Sequence, residues 1–273
     1  MVKWPGTPHP LAPSPSRCEG ERLTVQRWDT APLQLDWRGV AEGRGEVRPT
    51  ATATTVDFIR LANAPYDATW QWQRERAAAV AAGTAPEALL LVEHPPVYTM
   101  GPRTDPAHLV LTEEELRARG AEVHWIDRGG DVTWHGPGQL VGYPILDLGK
   151  RGRDLHAYVY TLEQVLVDVA GAFGVAAHRR PGMTGVWAGD AKLAAVGIKV
   201  QRWVSYHGFA LNVDPDLAWF DAIVPCGLHG YGVTSLSRLL GRTVSLDEVA
   251  GRTAEAFERR FEVRLAPCAS LPP

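Results

Sequence analysis

Four short stretches carry residues whose types and spacing could do chemistry. The first, PCGLHGYGVTSL, sets Cys226 between a proline and a glycine. A thiol there is either a nucleophile or a small apolar residue in a turn, and a lone cysteine is inert more often than catalytic. The second, GDAKLAAVGIKV, starts a strand-like run with Lys192 and continues through Ala194, Ala195 and Gly197. Small residues in succession give up packing area and strand propensity, so a flat apolar ligand or a close-packed neighbouring element must fill the space. Lys192 by itself reads as a solvated surface lysine. The third, SYHGFALNV, puts His207 and Gly208 inside an apolar strand, where a glycine marks a bulge or a close backbone approach.

The fourth stretch, RGGDVTWHGPGQ, is a loop of small residues bracketed by Arg128 and His135. Its glycines invite comparison with a dinucleotide fingerprint. The spacing of Gly136, Gly138 and Gly142 is GxGxxxG, however, and the loop precedes a strand where that fingerprint follows one, which excludes a Rossmann site. A loop without side chains lets backbone approach a ligand closely, and it equally makes a tight surface turn. No second His, Asp or Glu stands near His207 at metal-ligand spacing, so no metal is expected.

These stretches need elements to position them. An alternating strand over 56–61 leads to Pro65 at the first position of an Ala-rich helix that stops at Gly83. EALLLVEHPPVYTMG reads as one buried strand ended by Pro95 and Pro96. LTEEELRARG reads as a short helix with Thr112 as cap, Glu115 closing a capping box and Gly120 as stop. AEVHWID is a strand, the glycine loop follows, and an apolar strand runs to Leu148. From Leu155 to Phe173 apolar residues recur every three or four positions, the strongest amphipathic helix of the chain. TGVWAG, AKLAAVGIKV and WVSYHGFALNV then read as consecutive antiparallel strands, the last two joined by a tight hairpin at Gln201-Arg202. Ser245 and Glu248 open a final helix, and FEVRLA closes with a strand. Interspersed helices and strands with a hairpin and no regular βαβ rhythm predict an α/β layered domain on a mixed sheet.

Composition bounds the function. Apolar and charged fractions are those of a globular protein, and a net charge of −3 over 273 residues gives no global field that would recruit nucleic acid. Three cysteines without CxxC spacing argue against a disulfide framework and a structural zinc site. No apolar run reaches the roughly 20 residues of a membrane helix. A cytoplasmic location is expected. Residues 1–55, rich in Pro, Gly, Arg, Ser and Thr, read as a disordered extension that includes Cys18, and 266–273, with Cys268, as a loose tail.

Read in chain order, LLLVEHPPVYTMG, DRGGDVTWHGPGQLVGYPILDL, AKLAAVGIKV, SYHGFALNV and PCGLHGYGVTSL closely resemble the lipoyl(octanoyl) transferase family, the octanoyl-acyl-carrier-protein:protein transferases. The resemblance spans 56–265. RGGDVTWHGPGQ alone points only to the wider group with lipoate and biotin protein ligases, whereas the lysine of AKLAAVG and the cysteine of PCG are more specific to the transferases. Trp134 stands where the family commonly has tyrosine and Leu193 where it has isoleucine, and the N-terminal arm is atypical.

The resemblance implies a single catalytic domain over 56–265 on a mixed, largely antiparallel sheet with flanking helices, like the biotin and lipoate protein ligase catalytic domains. It implies that Cys226 is a nucleophile with Lys192 as its partner. Around the acyl chain it places Arg128, Gly129, Gly130, Asp131, Val132, Thr133, Trp134, His135, Ala195, Val196, Gly197, Gly208, Phe209 and Ala210. The implied donor is octanoyl-acyl carrier protein. The acceptors are lipoyl domains of 2-oxo-acid dehydrogenase complexes and the glycine cleavage H protein, with no cofactor and a monomeric enzyme. Arg151, Arg153 and Arg202 are candidates for a basic rim facing an acidic carrier, or ordinary solvated arginines. The rival readings are an ATP-dependent lipoate or biotin protein ligase and a noncatalytic module that binds lipoyl domains.

The implied chemistry is physically coherent. A thiol with pKa near 8.5 is only about 3% thiolate at pH 7, and a neighbouring ammonium that lowered it two units would supply about 2.7 kcal/mol. The same lysine, once neutral, could take a proton from an attacking amine.

Overall fold

The computed structural model describes residues 53–224 and 231–268. The expectation for residues 1–52, including Cys18, and that for Cys226 lie outside the described residues.

Strand β1 (Thr54–Leu61) leads to helix α1 (Tyr66–Ala81), with Pro65 one residue earlier than expected, as the N-cap. Strand β2 (Ala88–Val92) is buried along its whole length. Two prolines then deny it further ladder donors, so the chain leaves the sheet. VYTM lies beyond the prolines that end the strand, as expected. It forms β3 (Val97–Met100) of a second, three-stranded sheet, with β4 (Glu122–Trp125) parallel on one side and β5 (Thr133–His135) antiparallel on the other. Between β3 and β4 lies helix α2 (Glu113–Ala118), which has the capping box its sequence predicts, Thr112 and Glu115 each bonding the other's backbone N–H.

Strand β6 (Gln139–Ile145) returns to the main sheet. Helix α3 (Leu155–Ala172), capped by Asp154, precedes β7 (His178–Arg180), β8 (Met183–Ala188), β9 (Ala191–Gln201) and β10 (Val204–Asn212). A two-residue strand β11 (Gly232–Val233), a short helix α4 (Leu236–Leu240), helix α5 (Leu246–Phe261) and strand β12 (Val263–Pro267) complete the described chain.

The main sheet has the order β12-β1-β2-β6-β10-β9-β8-β7, with β11 added on β9. It is antiparallel from β2 through β7, while β12, β1 and β2 run parallel. The fold is thus mixed α/β with a mostly antiparallel sheet and helices on its two faces. Because side chains alternate along a strand, β2 serves both layers. Leu89 and Leu91 meet the core under α3 and α5, while Ala88, Leu90 and Val92 meet the core under α1. Strands β6 and β10 divide likewise, with Leu140, Phe209 and Leu211 on one side and Val141, Tyr143, Tyr206 and Ala210 on the other.

Two expectations change. The β9–β10 turn is Arg202-Trp203, one residue later than predicted, since Gln201 still pairs with Val204. Both turn residues have positive φ, as a two-residue hairpin twisted to match its strands requires. The tail does not begin at residue 266: parallel pairing with β1 carries β12 to Pro267, and the Cys268 N–H donates to the Phe58 carbonyl.

Candidate functional site

The middle of β9 and β10 forms a floor of small residues. Gly197 lies opposite Gly208, and Ala195 lies opposite Ala210. The Arg128–His135 loop crosses this floor. Its Gly129 N–H donates to the Ile198 carbonyl at 2.9 Å. A Cβ at position 197 would stand 2.8 Å from the Gly129 carbonyl oxygen, so glycine is what lets the loop lie on the sheet. Of the two occupants that small residues allow, the close-packed segment takes Gly197. Ala195 and Ala210 line an open cleft of about 770 Å³ between the sheet and the loop.

Arg128, almost fully buried, anchors the loop: its Nη2 donates to the Thr99 carbonyl at 2.6 Å and to the Thr99 hydroxyl at 3.0 Å. Asp131 accepts from the Val132 N–H and meets His108 Nδ1 at 2.5 Å, so its carboxylate fixes the turn. The Gly129 and Val132 amides are thereby engaged.

Lys192 is 9% exposed and lines the cleft, which excludes the solvated surface lysine. Its slot is built by β8. The Trp187 ring centroid lies 5.2 Å from Lys192 Nζ and 5.0 Å from the Arg180 guanidinium. Gly185, at φ +121, leaves room for the stem, since a Cβ there would sit 3.0 Å from Lys192 Cε. The buried Glu163 of α3 accepts the Gly185 N–H at 2.7 Å and pairs with Arg179.

Three histidines surround the opposite wall, and burial lowers the pKa of each. His94 is pushed down to about 4 and bonds the Ala64 carbonyl and Tyr143. His135 is pushed down to about 3 by burial, with His94 and Arg128 adding to the effect and its bond to Gln139 opposing it. Its ring stacks on Tyr66 at 6.3 Å and 7°. His207, at φ 55, bonds Asp127 at 3.0 Å, and burial lowers it despite that carboxylate. Burial works to raise the Asp127 carboxyl, but hydrogen bonds from His207 and Tyr206 outweigh it and hold the group ionised.

The described chain on either side of Pro225–Gly230 is tied to this cleft. On the N-terminal side, Val224 N–H donates to the His108 carbonyl. On the C-terminal side, Val233 pairs with Lys192, and Thr234 N–H donates to the Lys192 carbonyl at 3.0 Å.

Of the residues the sequence singled out, Arg128, Gly129, Gly130, Asp131, Val132, Thr133, His135, Lys192, Ala195, Val196, Gly197, Gly208, Phe209 and Ala210 all border the one cleft. Trp134 does not: alternation along β5 turns its indole away, to stack on Trp219 in the core of the small sheet. Arg151 leaves the candidate rim, because it makes a two-pronged pair with the buried Glu87. Arg153 lies over the Trp203 ring, and Arg202 is exposed at the hairpin tip. Tyr66, Gln139, Tyr143 and Asn212 also line the cleft and went unnoticed. Only Gln139, next to the glycine loop, had a sequence signal that could have found it.

The fold and cleft place the chain in a class. Residues 65–258 match the family model of the lipoyl protein ligase A/B catalytic domain. A lipoate-protein ligase A bound with ATP superposes with a TM-score of 0.65, at 14% identity over 80% of this chain and 90% of that one. A bi-partite lipoate protein ligase from Thermoplasma acidophilum gives 0.60 at 14% identity, over 79% and 89%. At such identities the likeness speaks for the fold alone.

Sequence relatives narrow the class. The octanoyltransferase of Geobacter metallireducens is 51% identical over 205 residues, covering 75% of this chain and 93% of that protein. That of Rubrobacter xylanophilus is 49% identical over 205 residues, covering 74% and 92%. The chain belongs to the octanoyltransferase family and is an acyltransferase.

Proposed function

We propose that the protein transfers an octanoyl group from octanoyl-acyl carrier protein, through a thioester on Cys226, to the acceptor lysine of lipoyl domains, with residues 56–265 as the catalytic unit. The observation that carries the reading is the burial of Lys192 in the wall of a cleft floored by the small residues of β9 and β10. Burying a lysine costs free energy that an ordinary surface position would not. The floor suits an unbranched chain, each buried methylene of which contributes about 0.8 kcal/mol.

In the first step the Cys226 thiolate attacks the donor thioester. The donor thiolate leaves with a proton from the Lys192 ammonium, which becomes the neutral amine, and the acyl group stays on sulfur. In the second, the acceptor amine attacks this thioester, Lys192 takes the amine proton, and an amide forms as Cys226 departs. A thioester is exchanged for a more stable amide, so no ATP is needed. Each step passes through an oxyanion that requires N–H donors. With Gly129 and Val132 engaged, the Gly130 and Asp131 amides are the loop's candidates.

Intact-protein mass spectrometry after mixing with octanoyl-acyl carrier protein tests the reading beside Cys226→Ser. An octanoyl adduct on the wild type that alkaline hydroxylamine removes, and that the variant lacks, is expected. No adduct from a donor-competent mixture, together with ATP-dependent attachment of free lipoate, would replace the reading with a ligase. Binding of a lipoyl domain without either reaction would leave a binding module.

A further inference from the structure

His135 reaches the cleft from β5, and behind it runs a chain of buried side-chain amides. His135 Nδ1 lies 2.7 Å from Gln139 Oε1, Gln139 Nε2 lies 2.8 Å from Asn212 Oδ1, and Asn212 Nδ2 lies 3.0 Å from the Thr234 carbonyl oxygen. All three side chains are nearly inaccessible, at 7%, 2% and 4% exposure. The far end is fixed, because the Thr234 N–H donates to the Lys192 carbonyl at 3.0 Å.

The order of atoms in this chain follows from its anchor. A backbone carbonyl can only accept. Asn212 must therefore present its Nδ2 to Thr234, which leaves Oδ1 for Gln139. Gln139 must then donate from Nε2, which leaves Oε1 for His135. An oxygen at that place demands a proton on His135 Nδ1. Burial keeps the ring neutral at ordinary pH, and a neutral imidazole with a proton on Nδ1 has none on Nε2. That nitrogen has no partner among the described residues, and the ring borders the cleft.

We infer that Gln139 and Asn212 are positioning residues whose one-way amide chain from Thr234 holds His135 as the Nδ1–H tautomer, so that Nε2 accepts an N–H of the incoming lysine amine. The inference rests on the proposed aminolysis for the identity of that donor, and on geometry alone for the tautomer. Acting only as an acceptor, His135 discriminates between the two steps. The amine of the second step brings N–H groups to the cleft, whereas the reacting groups of the first are a thiolate and a thioester, which have none. The chain also joins the two walls of the cleft, so orientation of the ring and placement of the Lys192 strand are set together.

The experiment uses the full chain labelled with 15N-histidine, with His135→Gln to assign the ring in long-range proton–nitrogen spectra. The wild type is expected to show His135 protonated at Nδ1 alone. Asn212→Ala leaves Gln139 Nε2 only its long 3.4 Å bond to the Trp134 carbonyl, so the amide can turn over and a population protonated at Nε2 should emerge. Acyl transfer to lysine should slow about tenfold, the effect of one lost hydrogen bond, while octanoylation of the enzyme changes much less. Should Asn212→Ala fold poorly, Gln139→Glu serves: its carboxylate should draw a second proton onto the ring and slow the same step. A wild-type ring protonated at Nε2 would overturn the inference. So would an Asn212→Ala or Gln139→Glu protein with an unchanged tautomer, or one in which both steps slow equally. A wild type with the stated tautomer but no acyl-enzyme would remove the reaction reading and, with it, the role given to Nε2.

Discussion

Replacing Gly197 by alanine is expected to lift the glycine loop off the sheet. A Cβ at that position would stand 2.8 Å from the Gly129 carbonyl oxygen and 3.4 Å from Arg128 Cδ. The nearer atom belongs to the backbone, so the clash is not relieved by a side chain swinging aside. Overpacking of this kind costs about 1–3 kcal/mol, and losing the Gly129–Ile198 hydrogen bond adds about 1 kcal/mol. A total of about 2–4 kcal/mol lowers the melting temperature of a domain this size by about 4–16 °C. Gly232→Ala is the control, since the nearest atom to a Cβ there is the Ala191 Cβ at an ordinary 3.8 Å. Calorimetry and single-turnover transfer, both well below the melting temperature, read the outcome. Gly197→Ala should also transfer at least tenfold more slowly, because Arg128 and His135 move with the loop. Melting and turnover equal to those of the Gly232→Ala protein would refute the claim that the loop depends on a missing side chain at 197.

Two further outcomes follow from the same geometry. Ala195→Trp fills the floor opposite Ala210, so transfer should be abolished in a protein that still folds, and unchanged turnover in a steady-state assay would remove that stretch from the site. The buried histidines predict a stability that falls with acid. Unfolded, His94 and His135 take up a proton near pH 6.5, whereas folded they do so only near 4 and 3. Their contribution is therefore whole above pH 6.5 and is lost from there down to those values, at up to about 1.4 kcal/mol per pH unit for each ring. Burial of His207 acts in the same sense. Urea melts at pH 7.5 and pH 5.5 should differ by about 2–3 kcal/mol, His94→Gln should flatten the slope, and melts independent of pH would contradict the burial of these rings as neutral bases.

What the sequence disclosed was local. The α3 stripe, the Thr112–Glu115 box and the strand character of β8 to β10 depend on residues a few positions apart. The three-stranded sheet escaped because strands of three and four residues are too short to establish a period of two. Trp134 was placed at the cleft by resemblance, and within β5 only the pairing partner decides which neighbour faces it. The small-residue floor was legible as a vacancy, but whether backbone or ligand fills it is decided by a loop some seventy positions earlier. Lys192 looked ordinary because its burial comes from Trp187 and Gly185 on another strand, and Gln139 and Asn212 acquire meaning only through each other.

Strand β10 is buried at all nine of its residues, paired with β9 from Val204 to Leu211 and with β6 from Phe209 to Asn212. Its amides have no local route to solvent, so their exchange with deuterium should require opening of the whole molecule. The cleft floor is then among the slowest-breathing parts of the protein. A recess with one immobile face behaves as a gauge: an acyl chain laid along β10, as proposed, would meet the same steps of small and large side chains each time.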